Sequence, residues 1–236
     1  LTLLFSFAVI PKNFLKVSKG SNEALPELLH FSKWVVAANI LGILQIQSGF
    51  FFLGYFKDAA SVGIFSGAWN LASGLDIFVF SLITVFLPKV SKFKDKKEFG
   101  GFIRQSLKFT AAFSICALPL FFYAEAVITT LFSEKFAGAG TIFQVLLAGA
   151  ILGLPAHPIS LILFSLNKPS VFAFVGLAVM VLTFAGHMIL IPQFSVMGAA
   201  AVSSAMKVLQ SLLILLFCYR FIKDPKKQIP IPEQAS

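Results

Sequence analysis

The sequence has 236 residues, of which 58% are hydrophobic and 12% are charged, and its mean hydropathy is +0.89. A typical soluble domain has roughly 45–50% apolar and about 25% charged residues, and a soluble chain of this size could not cover so much apolar surface with polar groups. The composition therefore predicts a membrane protein and excludes disordered, collagen-like and disulfide-stabilised chains.

The chain divides into apolar stretches separated by short polar segments. Residues 1–10 predict the end of a preceding transmembrane helix, and residues 11–33 predict a cytoplasmic loop that contains an interfacial helix at 24–33. A bilayer core of about 30 Å needs roughly 20 mostly apolar residues per helix, and six stretches meet this requirement. We therefore expect an all-α lobe of six transmembrane helices over 34–222, followed by a cytoplasmic tail at 223–236. The predicted spans are 34–56, 63–87, 109–132, 141–164, 171–191 and 199–221.

The positive charges are distributed unequally between the two sides of the predicted lobe. Sixteen of the 19 Lys and Arg residues fall in the segment 11–33, the loop 88–108, the turn at 167–169 and the C-terminal end. Because cytoplasmic loops retain Lys and Arg, these segments and the C-terminus are predicted to be cytoplasmic. The formal net charge of +9 is explained in this way without a nucleic-acid partner, although such clusters also attract anionic lipid headgroups.

Polar side chains inside a predicted span mark the face that is turned to protein or water. In the last span these are Ser203, Ser204, Lys207 and Gln210, which share one helical face. A lysine at this depth costs roughly 2.5–3.5 kcal/mol on insertion scales unless it is hydrated or paired. Two interpretations are open: a partly snorkelling lysine supported by serines, or a cation in a hydrated cavity that meets an anionic substrate group.

The second span carries a similar stripe that includes Asn70, Ser73 and Asp76. Asp76 lies near mid-membrane, where it could pair with Lys207, take up a proton or help to hold a coupling cation; a hydrogen-bonded structural carboxyl is the alternative. The first span has a stripe of small and polar residues that contains Gln45. Helix packing is the favoured explanation of that stripe, and Gln45 is a candidate cavity residue.

Pro155, His157 and Pro158 interrupt the fourth span. Proline removes a backbone donor and bends a helix, so this segment predicts either a gating hinge or a static kink. Motifs of enzyme chemistry are absent from the sequence: the three histidines are scattered, and there is no HExxH, Walker lysine motif or GxSxG. The sequence predicts a transporter without catalytic or metal-binding residues.

Short segments in chain order resemble the polysaccharide and O-antigen (Wzx-type) flippases of the multidrug/oligosaccharidyl-lipid/polysaccharide exporter superfamily. The resemblance extends from about residue 28 to residue 221. His187 occupies a position that is often Asn in that family. The matching segments are LGYF at 53–56, VGIFS at 62–66, AEAVITTLFSEKFAGA at 124–139, LIP at 190–192 and GAA at 198–200.

The resemblance implies a MATE-like transporter of two six-helix lobes, of which this chain would be the C-terminal one. Such a protein would flip a polyprenyl-diphosphate-linked oligosaccharide across the bacterial cytoplasmic membrane by alternating access. Lys207 would offer positive charge to the diphosphate, and Asp76 would balance charge or couple transport to Na⁺ or H⁺. No other cofactor is implied.

The implied partners are the lipid-linked oligosaccharide, membrane lipid, an N-terminal six-helix lobe, and polysaccharide polymerase and chain-length proteins. The alternatives are a multidrug or small-molecule antiporter of the same superfamily and a membrane glycan polymerase or ligase. The second alternative is disfavoured because the predicted outer loops are too short for a catalytic domain.

Overall fold

The computed structural model describes residues 21–90, 93, 96–132, 136 and 138–223, and within these residues the regular structure is helical. The predictions for residues 1–20 and for the tail 224–236 lie outside this part. The helices are α1 (Ser21–Phe56), α2 (Ala59–Val90), α3 (Lys96–Phe122), α4 (Ala124–Phe132), α5 (Ala139–Gly153), α6 (Ala156–Ser165) and α7 (Ser170–Lys223).

Three of the described helices are long and apolar enough to cross a membrane, namely α1 over Leu28–Phe56, α3 over Glu98–Phe122, and α7. Helices α5 and α6 pass the same test together but are bent by 41° at the break between them, which would add a fourth. The prediction of an all-α membrane protein is confirmed. The division into six spans stays a prediction.

The helix boundaries follow local sequence signals in the first part of the chain. The predicted interfacial segment 24–33 and the first predicted span form one continuous helix, α1, which ends at Phe56. Asp58 then caps α2, because its Oδ1 accepts the backbone N–H of Ser61 at 2.7 Å. The same hydrogen bond stabilises the charged form of Asp58 and lowers the pKa of this carboxyl. The predicted third span is divided between α3 and α4.

Helix α7 is 54 residues long and contains both of the last predicted spans. Its only non-helical backbone is at Ser195, where φ is 52° and ψ is −131°. Gly198 packs against the carbonyl of Leu190, and a Cβ on Gly186 would lie 2.9 Å from Val202 Cγ1. Each contact joins a residue before Ser195 to a residue after it, and the second pair is farther from Ser195 in the sequence than the first. The two halves of α7 therefore fold back on each other at Ser195. We call them the first arm (170–194) and the second arm (196–223).

Two apolar cores hold the helices together, and the second arm contributes to both. Ala199 and Ala200 belong to the first core, together with buried residues of α1, α2 and α5. Ile214 and Cys218 belong to the second core, which α2, α3, α6 and the first arm complete. The middle of the second arm, where Lys207 lies, is therefore positioned between two packed regions.

The helices α5 and α7 approach closely where small residues face each other. A Cβ added to Gly149 would lie 2.7 Å from the Cα of Ser204, whereas a Cβ added to Gly42 on α1 would meet nothing within 4 Å. Such close approach of backbones through small residues is typical of helix packing in membranes.

We expect Gly149→Ala to lower the free energy of unfolding by about 1–3 kcal/mol, because the added methyl group forces the two backbones apart. The matched control Gly42→Ala should be neutral or slightly stabilising, since alanine is the better helix former. Thermal unfolding of the detergent-purified proteins measures both effects. Equal melting temperatures for the two variants would contradict this account of the α5–α7 contact.

Candidate functional site

The two charged residues predicted deep inside the spans form an ion pair. Lys207 Nζ, on the second arm, donates to both carboxylate oxygens of Asp76 on α2, each at 3.0 Å. The side chains of Lys207 and Asp76 are 25% and 28% exposed, so the pair is neither fully buried nor on an open surface. Either charge alone would be costly at this depth, and pairing them offsets part of that cost.

The ion pair lies in a small cleft between α2, α5 and the second arm. The volume of the cleft is about 20 Å³, which is room for about one water molecule. A diphosphate with an attached sugar is far larger than this, so the cleft can accept at most one edge of such a group. The cleft is lined by Trp69, Ala72, Ser73, Asp76, Leu146, Ala150, Ser203, Ser204 and Lys207.

The serines of the cleft mostly donate to backbone carbonyls. Ser204 Oγ donates to Val145 O at 2.7 Å, which ties the second arm to α5. Ser73 Oγ donates to Asn70 O at 3.0 Å, within its own helix. These hydroxyl oxygens keep their capacity to accept hydrogen bonds, while Lys207 is the cationic donor of the cleft.

The other predicted cavity residues lie elsewhere. Asn70 is exposed on α2, and Gln210 and Gln45 are half-buried on α7 and α1; none of the three lines the cleft. Helix α1 as a whole packs mainly against α7. Helix α5, which was not predicted to take part, supplies one wall of the cleft through Leu146 and Ala150.

The predicted hinge lies next to the ion pair. Helix α5 ends at Gly153 and α6 begins at Ala156, so the bend falls at Leu154 and Pro155, while His157 and Pro158 lie in the first turn of α6. A Cβ added to Gly153, the last residue of α5, would lie 3.6 Å from Lys207 Cγ. The bend is thus close to the charged site, while its movement stays a prediction.

A second polar junction surrounds His187 on the first arm, whose side chain is fully buried. His187 Nδ1 is 2.9 Å from Ser48 Oγ on α1, and His187 Nε2 is 3.4 Å from Ser203 Oγ on the second arm. The junction therefore connects α1 with both arms of α7. Ser203 also lines the cleft, so the junction and the ion-pair site share a residue.

The hydrogen bonds of Ser48 indicate which imidazole nitrogen carries the proton. Ser48 has one hydroxyl hydrogen, and its Oγ is 2.7 Å from the carbonyl of Gln45, to which it donates. Ser48 must then accept from Nδ1–H of His187, which leaves Nε2 to accept from Ser203. A neutral imidazole protonated at Nδ1 satisfies all of these contacts.

We expect Ser48→Ala to destabilise the fold by about 1–3 kcal/mol, because it leaves the Nδ1–H group of His187 buried without an acceptor. The control Ser81→Ala removes an exposed hydroxyl that donates only to the carbonyl of Ile77 on its own helix. Its effect should stay within about 0.5 kcal/mol. Chemical denaturation of both variants in the same detergent is the measurement, and a Ser48→Ala effect no larger than the control would contradict the junction.

Comparisons with known proteins agree on one family. Residues 3–140 match a family model described as polysaccharide biosynthesis protein. A Haloferax volcanii protein whose name describes a low-salt glycan biosynthesis flippase is 23% identical over 215 residues, which cover 87% of this chain and 44% of the relative. A Shigella flexneri protein whose name describes an O-antigen transporter is 26% identical over 203 residues, which cover 84% of this chain and 47% of the relative.

The chain spans about half the length of these curated relatives. No solved structure matches it.

Proposed function

The chain belongs to the family of polysaccharide biosynthesis proteins, as its resemblance to Wzx-type flippases predicted, and from this premise we propose that it takes part in flipping a lipid-linked oligosaccharide. The substrate would be a polyprenyl-diphosphate-linked oligosaccharide, and the membrane would be the bacterial cytoplasmic membrane, with the C-terminus on the cytoplasmic side. The observation that carries this proposal is the Lys207–Asp76 pair in a cleft of a membrane helix bundle.

In this proposal the chain is the C-terminal six-helix lobe of a two-lobe transporter. The length of the relatives leaves room for a second lobe of similar size. A further argument is the side of α2 that carries Asn70, Ser81 and Thr84, which are all exposed. Because they recur at helical spacing on a segment that the sequence predicts to span the bilayer, they would need water or another protein surface in front of them. A central hydrated cavity shared with an N-terminal six-helix lobe meets this need.

Lys207 is the group of the cleft that would contact an anionic head group, while the lipid tail of the substrate remains in the bilayer. Lys207 would attract the diphosphate, and Asp76 would balance charge or bind the coupling H⁺ or Na⁺. The bend at Pro155, His157 and Pro158 would permit the lobe to change shape during alternating access. Polysaccharide polymerase and chain-length proteins would act on the glycan after it has crossed the membrane.

The multidrug antiporter alternative would use the same ion pair in the opposite way. An organic cation would need Asp76 to be released from Lys207, because both oxygens of Asp76 accept hydrogen bonds from Lys207 in the structure. The names of the relatives, which describe a glycan biosynthesis flippase and an O-antigen transporter, support the flippase.

We expect Lys207→Ala and Asp76→Asn, each introduced into the intact protein, to reduce glycan export by on the order of tenfold, because each change removes a charge that the translocation site uses. Surface polysaccharide is quantified in cells that lack the chromosomal gene, at matched levels of membrane-inserted protein. The control Lys89→Gln removes an exposed lysine near the end of α2 and should export normally. Normal export by both Lys207→Ala and Asp76→Asn would rule out this site.

A further inference from the structure

The ion pair leaves the cleft with no net formal charge. Of the described residues that line the cleft, Asp76 and Lys207 are the charged ones, and their charges cancel. A diphosphate that approached this neutral pair would be attracted by the ammonium and repelled by the carboxylate at nearly the same distance. The arrangement seen in the structure is therefore a poor anion site as it stands.

We propose that Asp76 is an internal counter-ion that occupies the anion-binding position of Lys207, and that a diphosphate head group binds by replacing the carboxylate. This inference rests on the proposed function. It adds that Asp76 occupies the anion-binding position when substrate is absent. The carboxylate binds Nζ through both oxygens, as one edge of a phosphate group would.

The size and exposure of the site favour replacement over joint binding. The cleft of about 20 Å³ has no space for a phosphate group beside the carboxylate. At the same time about a quarter of each side chain is exposed, so an incoming anion can reach Nζ without prior unfolding of the cleft. An anion that takes this position must displace Asp76.

Replacement of Asp76 also breaks a contact between two helices. The pair joins α2 to the second arm of α7 across 131 residues of sequence. Separation of the pair removes this connection and frees Lys207, whose Cγ would lie 3.6 Å from a Cβ added to Gly153 at the end of α5. Binding of the head group would thus change the α2–α7 contact and the surroundings of the bend between α5 and α6.

The first test is a binding comparison with farnesyl diphosphate on the intact protein in lipid nanodiscs. Asp76→Asn should bind this probe on the order of tenfold more tightly than the unmodified protein, since the competing carboxylate is gone. Lys207→Gln should bind it on the order of tenfold more weakly. Asp58→Asn is the matched control, because it makes the same chemical change in the cap of α2, and it should leave the affinity unchanged.

The outcomes separate this inference from the proposed function. If Lys207→Gln weakens binding but Asp76→Asn binds no more tightly than the unmodified protein, the counter-ion role is wrong and the anion site stands. If Lys207→Gln binds the probe as well as the unmodified protein does, the anion site and the counter-ion role both fail. Inorganic pyrophosphate and farnesol serve as competitors of farnesyl diphosphate. Competition by pyrophosphate alone shows that the protein recognises the phosphates. Competition by farnesol alone shows that only the lipid tail binds, and this result overturns the inference.

The second test uses the unmodified protein and does not depend on the folding of a variant. Dicyclohexylcarbodiimide modifies carboxyl groups in membrane interiors in their protonated form. A carboxylate there takes up a proton more readily when it is no longer paired with an ammonium group. Farnesyl diphosphate should increase the labelling of Asp76 several-fold, as measured by mass spectrometry of peptides, with labelling of Glu125 as the internal reference. Unchanged or decreased labelling of Asp76 at saturating probe would overturn the replacement.

Discussion

The need to neutralise charge inside a membrane is the constraint on which the arrangement of these helices depends. Lys207 and Asp76 are far apart in the sequence, and each would be costly to insert alone. Their pairing fixes the position of the second arm of α7 relative to α2 along the helix axes. The pair lies between two apolar cores, so its position is defined from both sides by packing.

Hydrogen bonds of serine side chains fix the rest of the second arm in the same way. Lipid tails are as apolar as the helix surfaces, so burial of apolar area drives helix association less in a membrane than in water. Ser204 bonds to a carbonyl of α5, and Ser203 contacts His187 of the first arm, which in turn contacts Ser48 of α1. The second arm is therefore held by polar contacts to α5 and to the first arm, and His187 links it indirectly to α1.

The sequence predicted the two charged residues of the site, because the cost of placing a charge in a membrane does not depend on how the helices pack. It could not predict which residues lie next to them. Asp76 and Lys207 were identifiable because a charge within an apolar stretch is expensive wherever the stretch packs. Gln45 shows the limit of this reasoning: a helical stripe defines a face but not the neighbour of that face, and Gln45 lies outside the cleft. The junction of Ser48, His187 and Ser203 could not be predicted either, because it depends on the reversal of the chain at Ser195.

A neutral resting site resolves a conflict that any flippase for an anionic head group must face. A permanently unpaired lysine in the translocation path would bind anions strongly but would destabilise the helix that carries it and would admit small ions. In the proposed counter-ion role, Asp76 stabilises Lys207 in the absence of substrate, and the charge of Lys207 would become available only to a ligand that can replace a carboxylate. A diphosphate carries the negative charge that this replacement requires, whereas a neutral lipid or an isolated sugar does not. The same pair would then supply both the stability of the lobe and its selectivity for phosphate-bearing lipids.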